Sequence, residues 1–321
     1  MTSETTQQLE LDAQYRAMRE QAGVLERPDR ALIVVTGPEA ADYLQGQVTN
    51  ETELLQPGHG HYAALLDRKG RVQADMRLLA LGDGEFLLET EAEPGARLLR
   101  HLSMYKIGRE VEVSDLSQSH ALVSVIGPRS HELTGAESLA EEHEHVAVEI
   151  GGVGCRALAT DLGVDLVTDP ASAAAVREAL LAAGAEDVSP EAAEIVRVES
   201  GRPRFGRELG AETMPAEAGI VERAINFEKG CYIGQEPVAR LHYRGRPNRV
   251  LRGLRLSAPA EAGAKVSNEQ RELGTIGTAV VSPALGPIAL AVIRREAEAG
   301  DTVELEGGVS AELVELPFAS S

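Results

Sequence analysis

The order of apolar and polar residues along the chain predicts a mixed α and β protein. Short apolar runs typical of strands alternate with stretches in which apolar residues recur every three or four positions, as on one face of a helix. Strands are predicted at 31–36, 61–67, 71–81, 85–90, 109–115, 120–126, 145–150 and 153–168. Helices are predicted at 9–23, 39–47, 93–105, 170–184 and 190–199.

The pattern changes near residue 245. Beyond that point helical spacing disappears, and β-prone runs separated by Gly and Pro indicate a small all-β domain. These runs are 250–256, 275–282, 287–293 and 303–305. We place the boundary in the segment Y-R-G-R-P-N-R, which predicts domains at 1–245 and 246–321. The first is expected to hold two mixed α/β domains, one inserted in the other.

Composition and charge restrict the classes of partner. The chain carries 51 acidic and 31 basic residues, a formal net charge of −20. Direct binding to nucleic acid or to an anionic membrane is therefore not expected, since phosphate neutralisation needs clustered Lys and Arg. The N-terminal segment lacks the basic and apolar regions of a signal peptide, and no apolar run is long enough to span a bilayer. The predicted location is the cytoplasm.

Cysteine is rare, and its placement is informative. Cys155 and Cys231 form neither a disulfide framework nor a C-x-x-C metal site, so no metal is predicted. Cys231 follows Lys229, whose ammonium would favour the thiolate, and Gly230, which suggests unusual backbone dihedrals or a close approach. From the residues alone, a small buried apolar role for Cys231 is favoured. One cysteine cannot hold an iron–sulfur cluster, so further ligands would come from a partner.

Two acidic residues are candidates for ligand binding. Glu199 ends a predicted helix in R-V-E-S-G-R-P-R-F-G, and its carboxylate can accept two parallel hydrogen bonds from an amino-pyrimidinone ring. Asp75 interrupts a β-prone run on the strand that follows the strand of Tyr62. Aspartate is unfavourable inside a strand unless another group fixes it. For each of these residues, taken alone, an outward-facing surface position is the favoured alternative.

Five segments occur together in one order: 36–51, 70–75, 197–206, 229–236 and 282–286. In that order they resemble the YgfZ-like folate-binding proteins of the glycine-cleavage T-protein (GcvT) aminomethyltransferase superfamily. The most specific segment, K-G-C-Y-I-G-Q-E, contributes Lys229, Gly230, Cys231, Tyr232, Gly234, Gln235 and Glu236. The resemblance implies an α+β fold with three domains around a central folate pocket and a C-terminal β-barrel. Tetrahydrofolate or a one-carbon derivative is the implied cofactor.

The resemblance also implies roles for individual residues. Glu199 matches the glutamate that binds the pterin, Tyr62 a residue that lines the pocket, and Asn50 a position near the ligand. Asp75 matches the catalytic aspartate of the T-protein. Glu91 stands near the place of a folate-contacting asparagine, and a carboxylate cannot donate that hydrogen bond.

Cys231 stands where the T-protein typically has an acidic residue, so the resemblance favours a functional Cys231. The implied function is a tetrahydrofolate-binding accessory protein that supports assembly or repair of iron–sulfur proteins and, through them, tRNA modification. Its partners would be folate and iron–sulfur proteins or assembly factors. The alternative is a tetrahydrofolate-dependent aminomethyltransferase of one-carbon metabolism that uses Asp75. A scaffold with a relic pocket is a third interpretation. The sequence alone leaves open whether the protein is an enzyme.

Overall fold

The computed structural model describes residues 3–318, which form two compact units interleaved in sequence. The first unit runs to Asp67 and also contains Gln73–Ala193 and Arg223–Ile233. The second contains Arg68–Val72, Glu194–Glu222 and the chain from Gly234 onward. The predicted domains 1–245 and 246–321 stay a prediction.

The first unit is built on two sheets. Its helices are α1 (Ser3–Glu20), α2 (Ala40–Gln45), α3 (Ala92–Tyr105), α4 (Ser130–Thr134) and α5 (Ala173–Ala182). Its strands are β1 (Gly23–Glu26), β2 (Arg30–Thr36), β3 (Gly60–Leu66), β4 (Val72–Gly82), β5 (Glu85–Glu91), β6 (Glu112–Asp115), β7 (Ala121–Ile126), β8 (His145–Ile150), β9 (Val153–Ala159), β10 (Gly163–Thr168) and β11 (Glu186–Asp187). One sheet has the order β3-β4-β5-β2-β6 and the other β11-β1-β7-β10-β9-β8.

Buried and partly exposed residues alternate along β4, and this alternation determines which face of the sheet carries Asp75. Val72, Ala74, Met76 and Leu78 are buried, and all but Val72 join the core that includes Leu98 and Leu102 of α3. Because successive strand residues point to opposite faces, Asp75 and Arg77 share the other face with Leu79. On that side, Leu32, Leu79 and Leu87 pack against Leu122, Leu158 and Val167 of the six-stranded sheet.

The second unit contains a closed six-stranded barrel. Its strands are β12 (Arg249–Leu256), β13 (Lys265–Ser267), β14 (Glu272–Ser282), β15 (Gly286–Arg294), β16 (Thr302–Leu305) and β17 (Val309–Val314). They pair in the order β12-β15-β14-β13-β16-β17 and enclose an aliphatic core. Three helices complete the chain: α6 (Pro190–Glu199), α7 (Val221–Ala224) and α8 (Gln235–Arg244). The predicted α+β fold with a C-terminal β-barrel is confirmed.

Some boundaries differ from the sequence predictions. The single strand predicted at 153–168 is two strands, because the chain turns at 160–162 and Thr160 receives a hydrogen bond within that turn. Helix α8 was not predicted, and Val238 is its only buried residue. The short strands β13 and β17 were also missed. Among the described residues, no helix is long and apolar enough to cross a bilayer.

Candidate functional site

Asp75 and Tyr62 form the centre of the candidate site on the neighbouring strands β4 and β3. The Tyr62 hydroxyl donates a hydrogen bond of 2.7 Å to Oδ2 of Asp75. The other oxygen, Oδ1, is shielded from solvent and has no hydrogen-bond partner within residues 3–318. Burial raises the pKa of the Asp75 carboxyl, although the Tyr62 hydrogen bond opposes the shift. The carboxylate is therefore fixed by one oxygen and able to accept a donor with the other.

The ring of Tyr62 is held by a cation as well as by its hydroxyl. The guanidinium carbon of Arg223 lies 4.7 Å from the centre of the ring, a cation–π distance. Arg223 in turn pairs with Glu142 at 2.7 Å. The orientation of the aromatic ring is thus fixed on one face by the Arg223–Glu142 pair.

Asn50 supports this arrangement from the loop after α2. Its Nδ2 donates to the backbone carbonyl of Tyr62 at 3.0 Å and to that of Arg223 at 3.2 Å. Its Oδ1 accepts the amide hydrogen of Glu51 at 2.9 Å. Both amide hydrogens are used within the chain, so Asn50 holds the two segments around Tyr62 together. Its predicted contact with the ligand would have to use its remaining acceptor capacity.

Lys229 is buried and points away from bulk solvent. Its ammonium donates to the carbonyl oxygens of Gln45 at 2.7 Å, Val48 at 2.7 Å and Asn50 at 2.9 Å. Burial lowers the pKa of this amine to about 8. One of these carbonyls, that of Gln45, ends α2, where the last acceptors have no helical partner; the other two belong to the chain beyond the helix. That Lys229 supplies the cation for the Cys231 thiolate stays a prediction, although its ammonium already donates to three carbonyls.

Cys231 itself is a free, exposed thiol, as the functional interpretation requires. Gly230 does not have a positive φ, and a Cβ atom at this position would meet no atom within 4 Å, so its predicted steric role is wrong. The residue with the special conformation is Gly234, which has φ 84° and immediately precedes α8. Left-handed backbone of this kind favours glycine.

The remaining residues of the segment include a buried tyrosine and the first residues of α8. Tyr232 is buried, its hydroxyl has no hydrogen-bond partner in the described chain, and burial raises its pKa to about 12. The ammonium of Lys229 lies 5.3 Å from the centre of this ring. Gln235 and Glu236 form the first turn of α8. Lys229 of this segment belongs to the first unit, and Gln235 begins helix α8 in the second unit.

Glu199 is the last residue of α6 and belongs to the second unit. It is 6% exposed, and its Oε1 accepts a hydrogen bond from the hydroxyl of Ser282. The same Ser282 oxygen accepts the backbone hydrogens of Ala284 at 3.1 Å and Leu285 at 2.9 Å. Ser282, in the segment 282–286, therefore orients the Glu199 carboxylate.

Glu91 belongs to a network of buried charges that sequence analysis missed. Arg30 pairs with both Glu91 and Glu89, and Arg77 donates to Glu89 at 2.7 Å. Register explains these contacts, because Arg30 lies opposite Glu91 and Arg77 opposite Glu89. A carboxylate at position 91 therefore serves here as a partner for a guanidinium.

The network continues into the six-stranded sheet of the same unit. Arg77 pairs with Asp165 at 2.6 Å, and the Ser124 hydroxyl donates to Asp165 at 2.6 Å. Despite full burial, the two guanidiniums hold the pKa of Glu89 well below its usual range. The only signal in the sequence was the presence of charged residues inside otherwise apolar strands.

Comparison with known proteins defines the class. Residues 4–229 match the family model described as the GCVT N-terminal domain, and residues 249–319 match the glycine cleavage T-protein C-terminal barrel domain. The chain therefore belongs to the family of the glycine cleavage T-protein. This confirms the superfamily named in the resemblance, without distinguishing its YgfZ-like members.

Similar proteins are named mainly as aminomethyltransferases. An aminomethyltransferase of Thermus thermophilus is 31% identical, covering 95% of this chain and 89% of its own. A putative chloroplastic transferase of Arabidopsis thaliana, At1g60990, is 29% identical, covering 89% of this chain and 68% of its own. The crystal structure of the glycine cleavage system aminomethyltransferase T from Bartonella henselae superposes with a TM-score of 0.86. It is 22% identical and covers 97% of this chain and 90% of its own, a likeness of fold.

Proposed function

We propose that the protein binds a tetrahydrofolate and acts as a one-carbon transferase of the aminomethyltransferase type. The observation that carries the proposal is the buried Oδ1 of Asp75, an acceptor without a donor among the described residues. A buried carboxylate oxygen left unpaired costs free energy, which a donor on a bound ligand would offset. Relatives named aminomethyltransferase align over 95% of the chain and support this choice.

The surroundings of each residue indicate its role in the proposed reaction. Tetrahydrofolate supplies the nitrogen that accepts the one-carbon unit. Oδ1 of Asp75 would accept a hydrogen bond from the N–H of that nitrogen, while the Tyr62 hydroxyl donates to Oδ2 at 2.7 Å. Because burial raises the pKa of Asp75, this carboxyl binds a proton more readily than a solvated aspartate. It is therefore suited to hold or return a proton at the reacting nitrogen.

Glu199 is proposed to bind the pterin by accepting two adjacent N–H groups. Losing one charged hydrogen-bonding partner should weaken tetrahydrofolate binding by roughly ten- to a hundredfold in the Glu199→Gln variant. Calorimetric titration with tetrahydrofolate and its formyl and methylene forms measures this. Glu191→Gln, at an exposed position of the same helix, is the matched control. Unchanged affinity in Glu199→Gln would remove Glu199 from the site.

Catalysis is tested separately from binding. The protein is incubated with tetrahydrofolate and a lipoyl-bound aminomethyl group, and formation of the methylene form is followed. Transfer by the wild type that Asp75→Asn abolishes would support the enzymatic proposal. Tight folate binding without any transfer would reject the enzymatic part and leave the binding part intact.

The exposed thiol favours a second candidate function. Cys231 is free and accessible within K-G-C-Y-I-G-Q-E. In this alternative the protein is a YgfZ-like, tetrahydrofolate-binding accessory factor for iron–sulfur proteins, including those that modify tRNA. A Cys231→Ser variant should then bind folate normally yet fail to restore an iron–sulfur enzyme in cells that lack the wild-type protein. Cys155→Ser, at a buried position, is the control. Full restoration by Cys231→Ser would exclude a role for the thiol.

A further inference from the structure

A polar pocket of about 480 Å³ opens in the second unit, beside strands of the barrel. The lining side chains that matter are Arg207, Glu208, Glu212, Glu217 and Arg249. Pockets of 300–1,000 Å³ are typical of small-molecule sites, and charged walls of this kind suit a polar ligand.

Glu208 is a buried acidic residue in the wall of the pocket. The residue is 4% exposed, and its Oε2 is held by Arg197 at 3.2 Å and by the backbone N–H of Arg204 at 3.1 Å. Its Oε1 is shielded from solvent and has no hydrogen-bond partner in the part of the chain that the structure describes. One half of this carboxylate is therefore fixed while the other half can accept a donor.

Gly277 packs closely against that carboxylate. It lies at the irregularity in β14, where the pairing register with β15 shifts between Ile276 and Thr278. A Cβ atom at position 277 would lie 2.8 Å from Oε1 of Glu208, closer than real Cβ contacts allow. A side chain here would displace the carboxylate from its position, whereas glycine leaves it in place.

The charges of the wall define the class of ligand. Three carboxylates and two guanidiniums line the pocket, which gives 2 − 3 = −1. We infer that the pocket binds a basic α-amino acid, whose two cations and one carboxylate complement this wall. A cationic group donates to Oε1 of Glu208, and the ligand carboxylate pairs with Arg249 or Arg207. Charge-assisted hydrogen bonds of both kinds are the strong ones.

The test uses three related probes in calorimetric titrations of the full-length protein. L-arginine carries both groups, agmatine lacks the carboxylate, and L-citrulline lacks the side-chain charge. L-arginine should bind, and each analogue should bind at least about tenfold more weakly, the usual effect of losing one charged hydrogen bond. Absence of binding by L-arginine at about 10 mM, or equal binding of all three, would overturn the inference.

Two substitutions locate the site. Gly277→Ala should weaken L-arginine binding at least about tenfold, while Gly210→Ala, where a Cβ meets nothing within 4 Å, should leave it unchanged. Arg249→Gln should weaken L-arginine to the level of agmatine without affecting agmatine itself, a test that holds even if Gly277→Ala fails to fold. Binding that survives both Gly277→Ala and Arg249→Gln would place the amino acid elsewhere. None of these outcomes bears on folate binding.

Discussion

Glu89 and Asp75 are acidic residues on adjacent strands of one sheet, yet they are buried in different ways. Glu89 is fully buried, and its two oxygens are taken by Arg30 and Arg77. Asp75 has one oxygen bound to Tyr62 and the other without a partner in the described residues. The contrast suggests that the fully paired carboxylate belongs to the framework, whereas the half-paired one is shaped for a ligand.

The pKa shifts of the two groups go in opposite directions for physical reasons. Burial alone raises the pKa of a carboxyl because it disfavours the charged form. At Glu89 two guanidiniums outweigh that effect and lower the pKa, whereas at Asp75 one hydroxyl does not. Glu89 therefore contributes stability above its unfolded-state pKa, which is lost as the pH falls through its lower folded-state value. Asp75 opposes folding at neutral pH.

The largest expected effect is that of Glu89→Gln on stability. The substitution leaves Arg30 and Arg77 without their shared counter-charge, and breaking a buried pair in this way typically costs about 3–5 kcal/mol. Urea unfolding at pH 7 measures the free energy of unfolding. Glu85→Gln, at an exposed position of the same strand, is the control. A loss below about 1 kcal/mol, as for surface pairs, would show that the network is not a structural element.

Asp75→Asn should preserve stability and weaken folate binding, in contrast to Glu89→Gln. It removes the charge whose burial is unfavourable, so the unliganded variant should be as stable as the wild type or more so at pH 7. The folded-state pKa of Asp75 is raised, so wild-type stability falls as the pH rises above the ordinary aspartate value of 3.8; this fall should be smaller in the variant. Tetrahydrofolate affinity should drop roughly ten- to a hundredfold, about 1.5–3 kcal/mol. Destabilisation with unchanged affinity would assign Asp75 to the framework, like Glu89.

The sequence predicted the position of Asp75 better than that of Glu89. Tyr62 and Asp75 are brought together by two consecutive strands and a short turn, a local relation that alternation of apolar residues reveals. The Glu89 network joins residues 30, 77, 89 and 165, whose proximity depends on the order β4-β5-β2 and on the packing of the two sheets. No local pattern encodes such distant pairings.

Lys229 and Gly230 show the limit of arguing from sequence neighbours. Lys229 is two residues from Cys231, but its ammonium is bonded to three carbonyls of the 45–50 segment. Gly230 has open space around it, and the left-handed residue of the segment is Gly234. Closeness along the chain shows which residues are neighbours in sequence, but it does not show in which direction their side chains point.

The burial of Lys229 predicts a stability change at alkaline pH. Its folded-state pKa is about 8, against an ordinary lysine value of 10.5. Between these values the unfolded chain binds a proton that the folded chain has lost, so stability should rise with pH. From pH 8 to 10 the gain is about 2 kcal/mol. Tyr43 and Tyr232 act in the opposite direction: burial raises their folded-state pKa values above the ordinary value of 10, so they begin to lower stability as the pH approaches 10.

Urea unfolding of wild type and Lys229→Met across this range measures the effect. The rise should be absent in Lys229→Met and retained in Lys265→Met, which removes an exposed lysine of the barrel. A wild-type profile that runs parallel to that of Lys229→Met from pH 8 to 10 would mean that the three carbonyls keep Lys229 charged throughout.

The smallest effect on stability is expected at Cys231. Its thiol is exposed, so Cys231→Ser should change the free energy of unfolding by no more than about 0.5 kcal/mol, as at other surface positions.

Cys155 is buried in an aliphatic core, and burial raises the pKa of its thiol. Since the thiolate is the reactive form, Cys231 should be alkylated by iodoacetamide at least about tenfold faster than Cys155 in the folded protein, and equally fast in urea. Peptide mass spectrometry after timed quenching gives both rates. Equal, slow modification of the two cysteines in the folded state would remove the support that exposure of Cys231 gives to the iron–sulfur alternative. The proposed folate-dependent transfer at Asp75 would then be the remaining candidate function.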